Sequence, residues 1–195
     1  MISSDAESAM YYTLDGSTPT IKSPRYNAPV NTPGGKLVVK SISYDPHTKK
    51  YSPLTEEKFD IARKSWKLVG VNDDKSNEIL DGNPDTQWYQ DGKNKMPVDL
   101  VIDMGKTENV SGFKYLPDQH WWGSGIITNY VLFISEDGSE WKQVDAGEFS
   151  NIKNNPVWQT KTFTPVKARY IKLQALHNTQ DNDAVGYAEF DVITN

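Results

Sequence analysis

The chain has 195 residues, 36% of them hydrophobic, with no cysteine and a formal charge of −5. Disulfides and thiolate metal sites are therefore excluded, and an acidic balance without a Lys/Arg cluster argues against a surface that tracks nucleic-acid phosphates. The apolar content is carried by rings, 6 Trp, 10 Tyr and 6 Phe, which bury much area per residue and make a compact core feasible.

No apolar run approaches the roughly 20 residues needed to span a bilayer. The opening Met1-Ile2-Ser3-Ser4-Asp5 lacks the basic and apolar regions of a signal peptide. A hairpin is expected almost at once, from Met10 to Thr13 and ending at Leu14-Asp15-Gly16-Ser17, so Met1 reads as a start inside a longer protein. Asp15-Gly16 supplies the positive φ of a tight turn. Tyr11, Tyr12 and Asp15 read as core rings and a turn residue, with a carbohydrate platform as the competing reading. A strand is expected over 37–44. The texture then changes at the charged, turn-free stretch 55–64, which marks a division into two units, 1–60 and 61–195.

Beyond it the punctuation stays that of an all-β protein, with strands expected over 98–104, 111–116, 129–135, 159–163, 169–175 and 188–193, separated by Gly, Pro, Asn and Asp. Tyr130-Val131-Leu132-Phe133-Ile134-Ser135 is nearly continuous in apolar residues, as a strand covered on both sides would be. No stretch carries a 3.6-residue period, so helix should be scarce.

Two segments suggest a cation site. Calcium is a hard ion that takes about 6 to 8 oxygens at roughly 2.3 to 2.6 Å. The loop Leu80-Asp81-Gly82-Asn83-Pro84-Asp85-Thr86-Gln87-Trp88 offers Asp81, Thr86 and turned-in carbonyls, and Glu189 in Tyr187-Ala188-Glu189-Phe190 can meet it from a distant strand. The spacing is not that of an EF-hand. The alternative is a pair of ordinary turns and a surface acid. A second feature is Asp118-Gln119-His120-Trp121-Trp122-Gly123-Ser124-Gly125, where two adjacent tryptophans between a proline and two glycines are unsuited to entering the core together. Sugar-binding surfaces lay a pyranose face on such rings while a few polar groups bond its hydroxyls. Trp66, Trp88, Trp141 and Trp158 are expected in cores or seams.

Catalytic signatures are absent. The three histidines, His47, His120 and His177, include no His-Glu-x-x-His. There is no Gly-x-Ser-x-Gly elbow, phosphate-cradling loop or dinucleotide fingerprint. Paired carboxylates for glycoside hydrolysis remain open, since acids are plentiful.

Tyr11-Tyr12-Thr13-Leu14-Asp15-Gly16-Ser17-Thr18-Pro19-Thr20 resembles the small C-terminal β-sandwich of chitobiases and β-hexosaminidases. From Lys64 onward the chain resembles the discoidin, or coagulation-factor V/VIII type C, family, which includes many bacterial carbohydrate-binding modules. The resemblance is carried by the Leu80 to Trp88 loop, Leu100-Val101-Ile102-Asp103-Met104-Gly105-Lys106, Phe113-Lys114-Tyr115-Leu116-Pro117, Ser135-Glu136-Asp137-Gly138-Ser139-Glu140-Trp141, Ala168-Arg169-Tyr170-Ile171-Lys172-Leu173 and Tyr187-Ala188-Glu189-Phe190. It implies an all-β chain in which a small β-sandwich precedes an eight-stranded jelly roll. It also implies a structural calcium ion held by carbonyls near Leu80 and from Asn83, Thr86 and Ala188, with side chains Asp81, Thr86 and Glu189. The ligand loops of the family bring Tyr89, Gln90, Asp118, His120, Trp121, Trp122 and Asn178 together as candidate glycan contacts, and set His120 and His177 on neighbouring loops without a third zinc ligand. Galactose-reading relatives carry a His after the loop tryptophan and an Arg after the Tyr-x-Pro motif. Here Tyr89 and Asp118 stand at those places, so galactose is not carried over.

Neither resembled family is catalytic. The expectation is an accessory region of a secreted, periplasmic or surface bacterial glycoside hydrolase of β-hexosaminidase or α-fucosidase type, with the catalytic domain covalently attached elsewhere in the parent chain. A spacer or protein-adhesion module without sugar affinity is the alternative. Net acidity argues against the membrane insertion that some discoidin relatives use.

Overall fold

The computed structural model describes residues 8–31, 36–71, 73–93, 95–120 and 123–194. The chain divides into two compact units, Met1–Ala62 and Arg63–Asn195.

In the first unit, strands β1 (Ala9–Thr13), β2 (Leu37–Asp45), β3 (Lys50–Tyr51) and β4 (Thr55–Phe59) form one antiparallel sheet with β2 at its centre. The turn after β1 does not close the expected hairpin, since the next strand is reached only at Leu37. β1 pairs with β2, and its other edge takes the returning segment, Tyr12 N donating to the Pro24 carbonyl at 3.1 Å and Tyr26 N to the Met10 carbonyl at 2.8 Å. Asp15 serves the turn, accepting from the Ser17 amide at 3.0 Å and hydroxyl at 2.6 Å. Gly16, at φ +78°, donates its amide to the Val38 carbonyl. The charged stretch expected to mark the division is in its first half the strand β4, whose exposed Glu and Lys side chains suit a sheet edge, with Glu56 paired to Lys40 across to β2.

The described residues of the second unit form eight strands: β5 (Lys67–Leu68), β6 (Trp88–Gln90), β7 (Val98–Leu116), β8 (Ile127–Ser135), β9 (Lys142–Glu148), β10 (Gln159–Asn178), β11 (Val185–Tyr187) and β12 (Glu189–Thr194). Their order is β12-β7-β10-β8-β9 with β5 beside β7, and β6 and β11 form a separate ribbon. The pairs read as separate strands, 98–104 with 111–116 and 159–163 with 169–175, are each one long strand. β7 and β10 pair along their lengths through irregularities at Thr162/Val166 and Ala168/Tyr170, and Gly105 takes φ +80° between the two halves of β7. Such bulges bend a strand and raise its twist. The bend lets each long strand serve both layers: residues 98–103 pair beside 170–175, β8 and β9, while residues 110–116 pair beside β12 and the start of β10. Phe113 in the second half of β7 consequently packs edge-on against Tyr130 of β8 at 5.3 Å between centroids. Helix is confined, among the described residues, to short 3₁₀ segments at Arg63–Ser65 and Asp74–Leu80.

Rings fill the space between the layers. Phe113 stacks on Phe190 at 5.8 Å, Tyr130 on Phe149 at 4.5 Å and Trp88 on Tyr187 at 5.8 Å. Each such side chain contributes about 1.5 to 3 kcal/mol on burial. Tyr115 keeps its polar end satisfied by donating to the Gly186 carbonyl at 2.8 Å and accepting from Ile127 N at 3.2 Å.

Candidate functional site

The Asp81 turn is built by its own side chains. Asp73 caps the 3₁₀ helix Asp74–Leu80, accepting from Lys75 N at 3.0 Å and from the Trp88 indole at 3.1 Å, so both ends of the loop are fixed. After Leu80 the chain turns through Gly82 at φ +81°. Asp81 Oδ1 accepts from Asn83 N at 2.7 Å, and Thr86 Oγ1 lies 3.1 and 3.0 Å from the two Asp81 oxygens and 2.7 Å from the Asn83 carbonyl. One hydroxyl proton thus faces three acceptors, an excess of oxygen that suits a cation.

Glu189 arrives from β12, which pairs with β7 through Glu189 opposite Leu116, and Ala188 before it is anchored by donating to the Leu116 carbonyl at 2.9 Å. Its side chain is 2% exposed. Oε2 accepts from Arg63 Nη1 at 2.5 Å, whereas Oε1 is buried without a hydrogen-bond partner. Burial, with a smaller contribution from the neighbouring Asp81 carboxylate, outweighs the lowering by Arg63 and leaves this carboxyl raised to about 7. The structure therefore brings Asp81 and Glu189 together across more than a hundred residues. Leu80, Asn83 and Thr86 lie on the same turn and Ala188 adjoins Glu189. Asp81, Thr86 and Glu189 fit a hard, oxygen-loving ion, and the bare buried Oε1 is the atom that most needs one.

The second constellation lies where the loop after β7 meets the ribbon β6–β11. Asp118 is 2% exposed. Its Oδ1 accepts from His120 N at 2.9 Å and lies 2.8 Å from His120 Nδ1, its Oδ2 accepts from Ser124 N at 3.2 Å, and the side-chain amide of Gln87 abuts the same carboxylate, to which it donates when its nitrogen is the atom turned inward. Asp118 was expected to face a ligand as an acceptor. It instead ties its own loop into a ring, because a buried carboxylate must collect donors and these are the nearest. Asn178, 3% exposed, is employed in the same way: Nδ2 donates to the Asn182 and Ala184 carbonyls at 2.9 and 2.7 Å, and Oδ1 accepts from Gln180 N at 2.9 Å. Gln180 Oε1 in turn accepts from Gly125 N at 3.2 Å, linking the two loops.

Glycines let these loops close on the ribbon. A Cβ on Gly186 would sit 2.2 Å from the Ser124 carbonyl oxygen, and one on Gly125 2.6 Å from the Val185 carbonyl carbon. Gly186 is the register partner of Tyr89, whose ring stays 41% exposed. Gln90 is half-buried opposite Val185, His120 is half-buried, and Trp121 and Trp122 lie outside the described residues. An open cleft of about 700 Å³ borders β6, lined by Val71, Asp73, Trp88, Tyr89, Gln90 and Lys93 among others. His177 is exposed and borders a separate hollow with Pro97 and Asp181. Among the described residues no three His, Cys, Asp or Glu side chains cluster as metal ligands.

Sequence reasoning misplaced one tryptophan. Trp66 and Trp88 are buried and Trp141 is half-buried under Lys172, whose Nζ sits 4.7 Å from its ring. Trp158, however, is 44% exposed beside Val157 at 49%. The Gln119 amide ties this segment to the loop after β7 by donating to the Pro117 carbonyl at 2.7 Å and the Pro156 carbonyl at 2.8 Å. The signal in the sequence is Asn154-Asn155-Pro156 before it, which puts Trp158 at a loop end.

Comparison with known proteins identifies the fold. Residues 63–190 match the family model described as F5/8 type C domain, and residues 1–59 match the one described as Fn3 associated. A galactose oxidase from Gibberella zeae is 28% identical over 148 residues, covering 68% of this chain and 20% of the relative. The chain thus spans about a fifth of the length of the curated relatives it matches. Among solved structures, CpGH89CBM32-5 from Clostridium perfringens, in complex with GalNAc-β-1,3-galactose, overlays with a TM-score of 0.59 at 22% identity, covering 68% of this chain and 98% of that one. The C-terminal domain of a chitobiase from Bacteroides fragilis overlays with a TM-score of 0.57 at 23% identity, covering 69% and 97%.

Proposed function

Because the chain belongs to the F5/8 type C family, we propose that it is a non-catalytic accessory region that binds glycans on behalf of a covalently attached glycoside hydrolase domain, secreted or held at a bacterial cell surface. The observation that carries this reading is the half-exposed Tyr89 ring, set opposite the side-chain-free Gly186 between two loops that Asp118 and Asn178 hold rigid. A ring on a preorganised rim stacks on a pyranose face at little entropic cost. Gln90 and His120 are further contacts in this reading, and the family resemblance assigns the same role to Trp121 and Trp122, which lie outside the described residues. The parent enzyme is of β-hexosaminidase or α-fucosidase type. Weak contacts of this kind gain from attachment, since they raise the effective concentration of substrate at the catalytic domain.

The ligand is a sugar other than terminal galactose, because Asp118 is an acceptor and its acceptor sites are taken by its own loop. A structural calcium ion belongs to the same proposal, held by the side chains of Asp81, Thr86 and Glu189 with carbonyls near Leu80 and from Asn83, Thr86 and Ala188. When bound it would neutralise the two carboxylates and join the turn to the last strand. The occupied state of Asp118 also favours a second reading, a spacer without sugar affinity. A glycan array on the whole chain, run with calcium and with chelator, separates the two. Binding that disappears in Tyr89→Ala supports the glycan reading, and an array blank in both conditions supports the spacer.

A further inference from the structure

Arg63 opens the second unit in the 3₁₀ turn Arg63–Ser65, and its side chain is 21% exposed. Its Nη1 donates to Glu189 Oε2 at 2.5 Å and to the Phe190 carbonyl at 3.0 Å. On the other side its Nη2 lies against the Asp81-Gly82 turn, where a Cβ on Gly82 would come within 3.2 Å of it. The guanidinium therefore spans the same two segments, the turn and the start of β12, that an ion between Asp81 and Glu189 would join. It also divides the Glu189 carboxylate: one oxygen is spent on the arginine, and the other is left bare and buried.

We propose that Arg63 is a resident counter-cation of this turn, and that it and a divalent ion compete to neutralise the same pair of carboxylates. The inference rests on the calcium reading above and adds a sign to it. Two carboxylates close together repel, the more so when one of them, Glu189, is buried, and the arginine relieves part of that repulsion before any ion arrives. An ion entering beside a fixed guanidinium meets a weaker field, and Glu189 has only Oε1 to give it. The second unit then holds its shape without calcium, and the ion is an auxiliary brace with reduced affinity.

The test is thermal unfolding and calorimetric calcium titration of the full chain, wild type against Arg63→Gln, with calcium chloride and with chelator. Without calcium, Arg63→Gln should melt several degrees below wild type, and saturating calcium should recover most of the loss. Its calcium dissociation constant should tighten by about tenfold, the size expected for removing one nearby positive charge after solvent screening. Arg63→Lys, which keeps the charge but loses the fork, should fall between the two and serves if the glutamine variant does not fold. Equal losses of Tm with and without calcium, or weaker calcium binding in Arg63→Gln, would overturn the competition while leaving the calcium site standing. Absence of calcium binding in wild type and Arg63→Gln alike would remove the site itself and this inference with it. Asp81→Asn, expected to abolish binding, guards against an ion held elsewhere.

Discussion

Two carboxylates of the second unit are buried to nearly the same degree, Asp118 and Glu189, yet they are treated in opposite ways. Asp118 gathers every donor it needs, mostly from within six residues of itself. Glu189 has one strong partner, Arg63, which comes from 126 residues away, and leaves an oxygen bare. A buried charge that is fully paired shapes its loop and is finished with. One that is half paired retains a demand that only a further positive charge meets. The same fold thus uses one acid as a rivet and the other as a socket.

This contrast is open to experiment. The largest expected effect is at the rivet: Asp118→Ala strips the partner from the His120 and Ser124 amides and from Gln87, and should cost about 3 kcal/mol in a denaturant titration. A variant as stable as wild type would show that the loop holds without its carboxylate. Next comes Tyr89→Ala, expected to weaken glycan binding at least about tenfold, roughly 1.4 kcal/mol, with Tm unchanged within about a degree. At the socket, chelation of the calcium-loaded wild type should lower Tm by a few degrees, and Glu189→Gln should make Tm indifferent to chelator. The smallest effect concerns a part-buried pair that belongs to neither site. Asp103 accepts from Arg169 Nε and Nη2, both at 2.8 Å, and this pairing holds its carboxyl below the usual value of 3.8. A depressed folded-state value means that the stabilisation is complete above about pH 4 and is lost as pH falls through it. Asp103→Asn should therefore flatten the acid limb of a stability profile while changing little at neutral pH, where such pairs are weak.

Much of the fold was legible because it depends on local pattern. The alternating runs marked most strand positions, and the Asp81 and Glu189 segments were recognisable through their residue types. Features set by partners far along the chain were not. Gly105 and the Thr164-Pro165 stretch read as breaks, whereas β7 and β10 run through both, since the two strands support each other across their irregularities. The strand 142–148 carries too little apolar alternation to stand out, and it pairs with β8 as a mostly exposed edge. Arg63 looked like one more charge in a charged stretch, because nothing near it in sequence announces Glu189. Asp118 was read as an acceptor awaiting a ligand, since sequence shows a side chain's chemistry but not whether its lone pairs are already taken. Trp158 was assigned inward by the habit of its residue type, against the evidence of the Asn-Asn-Pro before it.

The bond from Arg63 to the Phe190 carbonyl has an architectural consequence. It clasps the opening 3₁₀ turn of the second unit to the start of its last strand, two segments 127 residues apart in sequence. Closing so long a loop costs entropy that a single bond does not repay, so the clasp can shut only after the sheet between the two segments has brought them together.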